Sequence, residues 1–233
     1  MARLPRAVLA GELHLVIHRG QSGLPVFLDD DDRRRYLDAL TTAARDHDVA
    51  VHAYALRPTQ VRLLLTPSTG GALAGLMQSI GRRYVRGFNQ AHGRTGTPWE
   101  GRFRSTVVEA ARYFVPGLRF VEEIGVGTED AIDTTDPFAS SAPHHLGLQP
   151  NPLITEHPGF WTLGNTPFER EAAYRTLHDM PLPPDERRRI ADAALKGWAL
   201  ASDAYAAQAA EQAGRRTRPA ARGRPRVHKP GDD

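Results

Sequence analysis

Gln60 and Arg62 are the two residues whose types and spacing first suggest chemistry. They alternate with Val61, Leu63 and Leu65, as in a strand with one face on a core. The amide and the guanidinium would then stand side by side on the other face. An amide oxygen is a weak metal ligand, and a guanidinium attracts phosphate. The same pattern also fits two ordinary solvated strand residues, so both interpretations stay open.

The basic residues are concentrated in two stretches of the chain. Residues 57–119 contain ten arginines against two glutamates, and residues 214–229 contain six arginines and one lysine with no acid. The segment between them, 120–213, is acidic, with fifteen acids against six bases. This segregation indicates contact with a polyanion at two places. Arginine-rich usage can also reflect genomic base composition, so charge alone does not decide for nucleic acid.

Composition excludes several classes of protein. At 233 residues with 40% hydrophobic residues, the chain can bury a real core. The absence of cysteine excludes disulfides, a thiolate nucleophile and a cysteine-based zinc site. The sequence has neither a run of about 18 apolar residues nor a signal-peptide region, so we predict a cytoplasmic protein without a membrane partner.

The polar face belongs to a predicted series of strands and helices. Periodicity predicts strands over 13–18, 49–56, 60–65 and 103–108, and helices from 29–32 to about 47, over 73–88 and over 110–123. A turn at 57–58 joins the second and third strands as a hairpin. The series βαββαβ is the ferredoxin-like arrangement. The predicted fold class is therefore α+β, an antiparallel sheet with helices on one face.

The composition and periodicity of the sequence predict four regions. Residues 1–125 form the ferredoxin-like domain, and the Gly-, Pro-, Asp- and Ser-rich residues 126–158 form a linker. Residues 159–213 form a C-terminal helical region with segments over 167–178, 184–196 and 200–213, which could make a small bundle. Residues 214–233 are predicted to be a disordered basic tail.

Several stretches resemble one known family. They are residues 1–6 (MARLPR), 16–20, 52–65, 77–86 (MQSIGRRYVR), 97–105 (TPWEGRFRS), 151–163 and 197–200. In this order they resemble the REP-associated tyrosine transposases of bacteria, within the single-tyrosine HUH transposases of insertion sequences. The resemblance implies a ferredoxin-like catalytic domain that cleaves and rejoins single-stranded DNA at palindromic hairpins in DNA transposition and recombination.

The resemblance also implies catalytic positions, and this chain departs from them. The family places two histidines on the central strand for Mg²⁺ or Mn²⁺, a nucleophilic tyrosine on the helix after the fourth strand, and a polar ligand one turn later. The residues at these positions are Gln60, Arg62, Phe120 and Ile124. Phenylalanine has no hydroxyl, and the charge of Arg62 repels a cation. We therefore expect no intact catalytic residue, no metal or other cofactor, and DNA binding without cleavage.

Three alternatives to this expectation stay open, and the first is that other residues rebuild the site. Tyr84 or Tyr113 could serve as nucleophile, although helical spacing favours core packing for both. His14, His18 and His52 could form a displaced metal cluster, although a structural role is the more frequent one. The alternatives are an active metal-dependent transposase or nuclease, an RNA-binding or protein-interaction module, and a decaying relic.

The expected DNA contacts divide into two groups. Five arginines could line a phosphate-tracking groove in which Trp99 stacks on an unpaired base, unless that tryptophan is a core residue. These arginines are Arg82, Arg83, Arg86, Arg102 and Arg104. The tail sequence RGRPR resembles an AT-hook that would contact an A·T-rich minor groove through Arg222, Arg224 and Arg226. The expected partner is a single-stranded hairpin or palindromic repeat, bound by a monomer or homodimer.

Overall fold

A four-stranded antiparallel sheet positions the residues predicted to do chemistry. In the computed structural model, which describes residues 5–123, 132–133 and 135–219, the strands are β1 (Leu13–Arg19), β2 (Val49–Arg57), β3 (Gln60–Pro67) and β4 (Arg104–Val108). They pair in the order β2-β3-β1-β4, with every pair antiparallel. This order and the series βαββαβ confirm the predicted ferredoxin-like arrangement.

The predicted hairpin between β2 and β3 is present. Arg57 pairs with Gln60, so Pro58 lies in the tight connection between the strands. Proline fits there because its fixed φ suits a turn and it cannot donate to the sheet. In β3, Val61, Leu63 and Leu65 belong to one apolar cluster. Leu64 belongs to the cluster on the opposite face, as period-two alternation requires.

The helices, together with one short 3-10 turn over Gln21–Gly23, make up the other regular elements of the described residues. They are α1 (Asp30–Asp46), α2 (Ala72–His92), α3 (Ala110–Glu122), α4 (Ala142–His145), α5 (Pro158–Trp161), α6 (Pro167–His178), α7 (Pro184–Lys196) and α8 (Asp203–Gln212). Asp29 caps α1 by accepting a hydrogen bond from the Asp32 amide at 2.8 Å. None of the helices in the described ranges is both long and apolar enough to cross a membrane.

The two faces of the sheet carry different helices. As predicted, α1 and α2 pack on one face, around Tyr36, Leu40, Leu76 and Ile80. The opposite face is covered as well, because α3 packs on it together with α5, α6 and α7. The sequence signal for this second layer was the apolar spacing of α3. The face on which Arg62 lies is therefore an interface between the sheet and a helix.

The C-terminal helices and the predicted linker pack directly on the sheet. α7 contacts β1, β4 and α3, so the expected separate bundle is not what these helices form. Within the predicted linker, the Ala139 carbonyl accepts from the Leu56 amide at 2.7 Å and the Thr155 amide donates to Val51 at 2.8 Å. One apolar cluster includes residues of the predicted domain, linker and helical region. The four boundaries stay a prediction.

The first residues of the predicted disordered tail have fixed contacts, which corrects that prediction for residues 214–219. Thr217 is buried, and its hydroxyl donates to the Ala206 carbonyl at 2.6 Å. Its own carbonyl accepts from the Ala199 amide at 2.8 Å. The AT-hook-like residues Arg222, Arg224 and Arg226 lie outside the described residues.

Candidate nucleic-acid interface

Arg62 lies between β3 and α3 in an ion-pair cluster. Its Nη1 donates to the Phe120 carbonyl at 2.6 Å and to Glu123 Oε1 at 3.0 Å. Its guanidinium carbon is 4.2 Å from the centroid of the Phe120 ring. Arg187 Nε on α7 donates to the second oxygen of Glu123 at 2.8 Å. We call Arg62, Phe120, Glu123 and Arg187 the α3 cluster.

Three of the four side chains of the α3 cluster are largely buried, and the fourth, Arg187, is 43% exposed. The side chains of Arg62 and Glu123 are 11% and 12% exposed, and Phe120 is 2% exposed. Arg57, also buried, donates a further hydrogen bond to the Glu123 carbonyl. A guanidinium stacked on an aromatic ring and bonded to a carboxylate is a stabilising arrangement in a partly dry site. The cluster thus fastens α3 and α7 to the sheet.

The residues at the family's metal positions do not fit a divalent cation. Gln60 is half-buried, and its β1 partner is Arg19, while the β1 partner of Arg62 is Ile17. Cross-strand partners share a face, so Gln60 and Arg62 lie on one face as predicted. At position 62, however, a permanently charged guanidinium already bonded to Glu123 occupies the place of a neutral imidazole. Ile124 lies outside the described residues.

Tyr84 cannot act as the displaced nucleophile. It is 1% exposed in the layer of α1 and α2, where its ring contacts those of Tyr36 and Trp99. Its hydroxyl donates to the Val26 carbonyl, and burial raises its pKa. This layer lies across the sheet from Arg62. Tyr113, on α3, is half-buried and accepts a hydrogen bond of 3.4 Å from Arg189.

The three strand histidines do not form a metal cluster. His14 and His18 share a face of β1 with Val16, on the layer of α1 and α2. His52 contacts the Phe114 ring of α3 and so lies on the opposite face. Each ring is hydrogen-bonded to a backbone carbonyl, and burial lowers the pKa of each to about 4. Their neutral rings are part of the fold.

One group of side chains within the described ranges has the spacing of a metal site. It consists of Asp29, Asp32 and His92. Asp29 is occupied as the cap of α1, and the Asp32 carboxylate accepts from His92 Nε2 at 2.9 Å and from Arg35 at 2.8 Å. The existing partners of Asp32 already balance its charge, so these residues hold the start of α1 against the end of α2.

Trp99 is a core residue, which corrects its predicted role as a base-stacking platform. It is 4% exposed, and its ring stacks on His18 with centroids 4.1 Å apart. Tyr36 and Tyr84 approach the same ring at 6.2 and 5.9 Å. A base has no access to an indole packed in this way. The sequence left this outcome open as the alternative interpretation.

The five arginines predicted to line one groove occupy two separate places. Arg82, Arg83 and Arg86 are exposed on α2, where Arg83 pairs with Asp46 of α1 at 3.3 Å. Arg102 and Arg104 are exposed beside β4, at a cavity to which α2 contributes no residue. The structure therefore does not bring the five together in one groove.

A basic cavity of about 530 Å³ lies beside β4. Six of its lining side chains are cationic and none is acidic. We call it the β4 pocket, and its lining includes Arg6, Arg102, Arg104, Lys196, Arg215 and Arg216, together with Phe103, Ser105 and Trp198. A concave wall of one charge focuses the electrostatic potential and attracts anions.

Backbone contacts and aromatic rings hold several of these cations in place. Arg6 lies 3.7 Å from the centroid of the Phe103 ring and donates to the Phe103 carbonyl at 2.9 Å. Gly197 ends α7 in the left-handed conformation, and its carbonyl accepts from Arg215 at 2.6 Å. These contacts fix position without cancelling charge. Burial lowers the pKa of Arg215, which has no carboxylate partner within residues 5–123, 132–133 and 135–219.

Sequence reasoning missed four of the six cations of the β4 pocket. Arg6, Lys196, Arg215 and Arg216 come from three segments far apart in the chain, so their spacing carries no motif. The available signals were the basic run that begins after Gly214 and the family-like stretches 1–6 and 197–200. Neither signal indicated that these segments meet beside β4.

Comparison with known proteins identifies the fold. No family model matches the sequence, and no curated protein matches it. A solved REP-associated tyrosine transposase bound to a REP hairpin matches with a TM-score of 0.52 and 12% identity, over 67% of this chain and 92% of that one. The chain has a transposase-like fold. The resemblance stated from the sequence is confirmed at this level.

A second solved structure is a putative transposase from Deinococcus radiodurans R1. It matches with a TM-score of 0.35 and 22% identity, over 49% of this chain and 93% of that one. The likeness of fold rests on the first structure. The α3 cluster contains two of the four positions that the sequence resemblance assigns to catalysis, Arg62 and Phe120, on the sheet face that α3 covers.

Proposed function

We propose that this protein binds single-stranded hairpin DNA and does not cleave it. The observation that carries the proposal is the α3 cluster. Glu123 neutralises Arg62 over the ring of Phe120, at the positions where the resembling enzymes carry a metal ligand and a nucleophile. Strand transfer through phosphotyrosine needs a hydroxyl and a metal-polarised phosphate. The cluster offers neither.

Charge and fold support the DNA-binding half of the proposal. The solved transposase with this fold was determined in complex with a REP hairpin. In this chain, Arg82 and Arg86 are exposed on α2, and the β4 pocket adds six lining cations, of which Lys196 is paired with Asp192. Each phosphate contact made by such side chains releases counterions, which favours binding at low salt. The A·T-rich duplex contact of the tail and the oligomeric state stay predictions.

The binding test uses the full chain. Affinity is measured by fluorescence anisotropy for a DNA hairpin, a blunt duplex, an A·T-rich duplex and a structured RNA, each at several salt concentrations. We expect the hairpin to bind most tightly and its affinity to fall steeply with salt. Affinity that does not change with salt would contradict every nucleic-acid function, and preference for RNA would favour an RNA-binding module.

The cleavage test uses the same labelled hairpin with Mg²⁺ or Mn²⁺. We expect an intact strand and no covalent protein–DNA adduct on a denaturing gel, for the natural chain and for Phe120→Tyr. The Tyr variant restores a hydroxyl without restoring a metal site, so it is the matched control. An adduct with the natural chain would overturn the proposal and revive the active-enzyme alternative.

A further inference from the structure

We propose that the β4 pocket binds the terminal phosphate of a nucleotide, either a free nucleotide or the phosphorylated 5′ end of a DNA strand. This site is separate from the α3 cluster and from the arginines of α2. It goes beyond hairpin binding, because it recognises a compact, multiply charged group instead of a series of diesters along a backbone.

The arrangement of the cations favours a compact anion. Side chains from the N-terminal segment, the segment before β4, the end of α7 and residues 215–216 meet around one cavity. Backbone phosphates of a strand are spread along a groove, which suits a row such as Arg82 and Arg86 on one helix. A phosphate monoester concentrates a charge of about −2 at neutral pH on one group. Converging guanidiniums therefore favour it over a single diester.

Several groups in the pocket are prepared for an anion. Arg215 is half-buried, has no acidic partner among the described residues, and its Nε has no hydrogen-bond partner there. Ser105 is 5% exposed, lines the pocket and has a hydroxyl without a partner in the same part of the chain. Burying a charge or a polar group without a partner is costly, so a bound phosphate would stabilise this arrangement.

The lining and size of the pocket fit a nucleotide. The cavity volume of about 530 Å³ lies in the range of small-molecule sites, roughly 300–1,000 Å³. Trp198 is half-buried, lines the pocket and has the Arg216 guanidinium 5.9 Å from its ring. An aromatic ring beside cations is the combination that stacks a base while its phosphate is held.

Two substrate arms distinguish the sources of the phosphate. The first compares one 3′-labelled oligonucleotide with a 5′-phosphate or a 5′-hydroxyl, and the second measures ATP, ADP and inorganic triphosphate by calorimetry. If the strand end is the ligand, we expect about tenfold tighter binding of the 5′-phosphorylated strand. If the free nucleotide is the ligand, ATP binds and the two strands do not differ. Absence of both effects would overturn the proposal.

The variant Arg102→Gln/Arg104→Gln tests the location. Both side chains are exposed, so the variant should fold, and circular dichroism verifies this. We expect it to abolish the 5′-phosphate preference or to weaken ATP binding about tenfold. The charge-matched control is Arg34→Gln/Arg188→Gln, two arginines whose ion pairs are with acids on their own helices and which do not line the pocket, and it should behave as the natural chain. Preference that survives in the first variant, or is lost equally in the control, would overturn the assignment.

The variant Trp198→Leu tests the base contact. We expect weaker binding of ATP and unchanged binding of inorganic triphosphate, because the ring contacts the base alone. Equal weakening of both ligands in a folded variant would contradict the nucleotide orientation.

Hairpin binding separates the two proposals. A chain that binds ATP but no DNA contradicts the proposed function and supports this pocket, and a chain that binds hairpins but shows neither a 5′-phosphate preference nor ATP binding does the reverse.

Discussion

The α3 cluster and the β4 pocket both gather arginines, and they differ in what neutralises the charge. In the cluster, Arg62 and Arg187 share the carboxylate of Glu123, and Arg62 also lies over the ring of Phe120. In the pocket, the Gly197 carbonyl holds Arg215 and orients its guanidinium without cancelling its charge. The comparison teaches that burial with a carboxylate makes arginine a structural residue, and fixation without one leaves it available to an anion.

Lowering the pH should have the largest effect on stability. It acts on the buried histidines and not on the arginines of the α3 cluster or the β4 pocket. Arginine stays charged at every relevant pH, whereas burial lowers the pKa of His14, His18 and His52 from about 6.5 to about 4. Between about pH 4 and 6.5, these histidines bind more protons in the unfolded chain than in the folded chain. Stability is therefore complete above pH 6.5 and falls toward pH 4, by about 2 kcal/mol per histidine at pH 5.

Urea unfolding at pH 7.5, 6 and 5 measures this loss. The variant His52→Gln keeps one donor and one acceptor for Thr155 and Thr66 but cannot titrate, so its stability should depend less on pH. Equal stability of the natural chain at pH 7.5 and 5 would contradict neutral, buried histidines.

Removing the ring of the α3 cluster tests its packing. Phe120→Ala should lower the free energy of unfolding by about 3–4 kcal/mol, because a 2% exposed ring is replaced by a cavity beside Arg62. Phe168→Ala is the control, since Phe168 is 81% exposed, and it should have little effect. Urea unfolding measures both variants. Similar losses for the two would show that Phe120 is not packed as described.

Removing the charge of the cluster tests its pairing. Glu123→Gln should cost about 2 kcal/mol, because it removes the carboxylate that neutralises the largely buried guanidinium of Arg62. The control Asp185→Asn breaks the exposed pair with Arg188 and should change stability little. A variant as stable as the natural chain would mean that Glu123 does not compensate Arg62.

Salt gives the smallest expected effect on stability and separates the two regions. Raising the salt concentration from 50 to 200 mM should change the free energy of unfolding by less than about 0.5 kcal/mol, since the buried pairs of the α3 cluster are poorly screened. The same change should weaken binding at the exposed arginines about tenfold or more. Denaturant titrations and anisotropy in matched buffers test this. Equal sensitivity of stability and binding to salt would contradict the distinction between the paired arginines of the α3 cluster and the exposed arginines.

Local patterns in the sequence predicted the frame of the fold. Alternation around Val61 and the proline at position 58 predicted the hairpin, and periodicity predicted α7 over Pro184–Lys196. The burial of Trp99 could not be predicted, because its partners His18, Tyr36 and Tyr84 come from three separate elements. Periodicity reports which residues of one element share a face, and it does not report which elements meet.

The candidate sites show the same limit more strongly. The positions of Arg62 and Phe120 were predicted, yet the role of Glu123 depends on the end of α3 reaching the face of β3. The β4 pocket brings Arg6, near the start of the chain, together with Lys196 and Arg215, near its end. Charge counting indicated that residues 214–229 are basic but placed Lys196 in an acidic segment, and only tertiary structure brings these side chains to one cavity.

The most direct test measures two quantities on two variants in one series, the free energy of unfolding and the affinity for the DNA hairpin. The account predicts that Glu123→Gln loses stability and keeps its affinity once the folded fraction is accounted for. It predicts that Arg102→Gln/Arg104→Gln keeps its stability and loses affinity. The opposite assignment of the two losses, or both losses in either variant, would contradict the distinction between paired and available arginines.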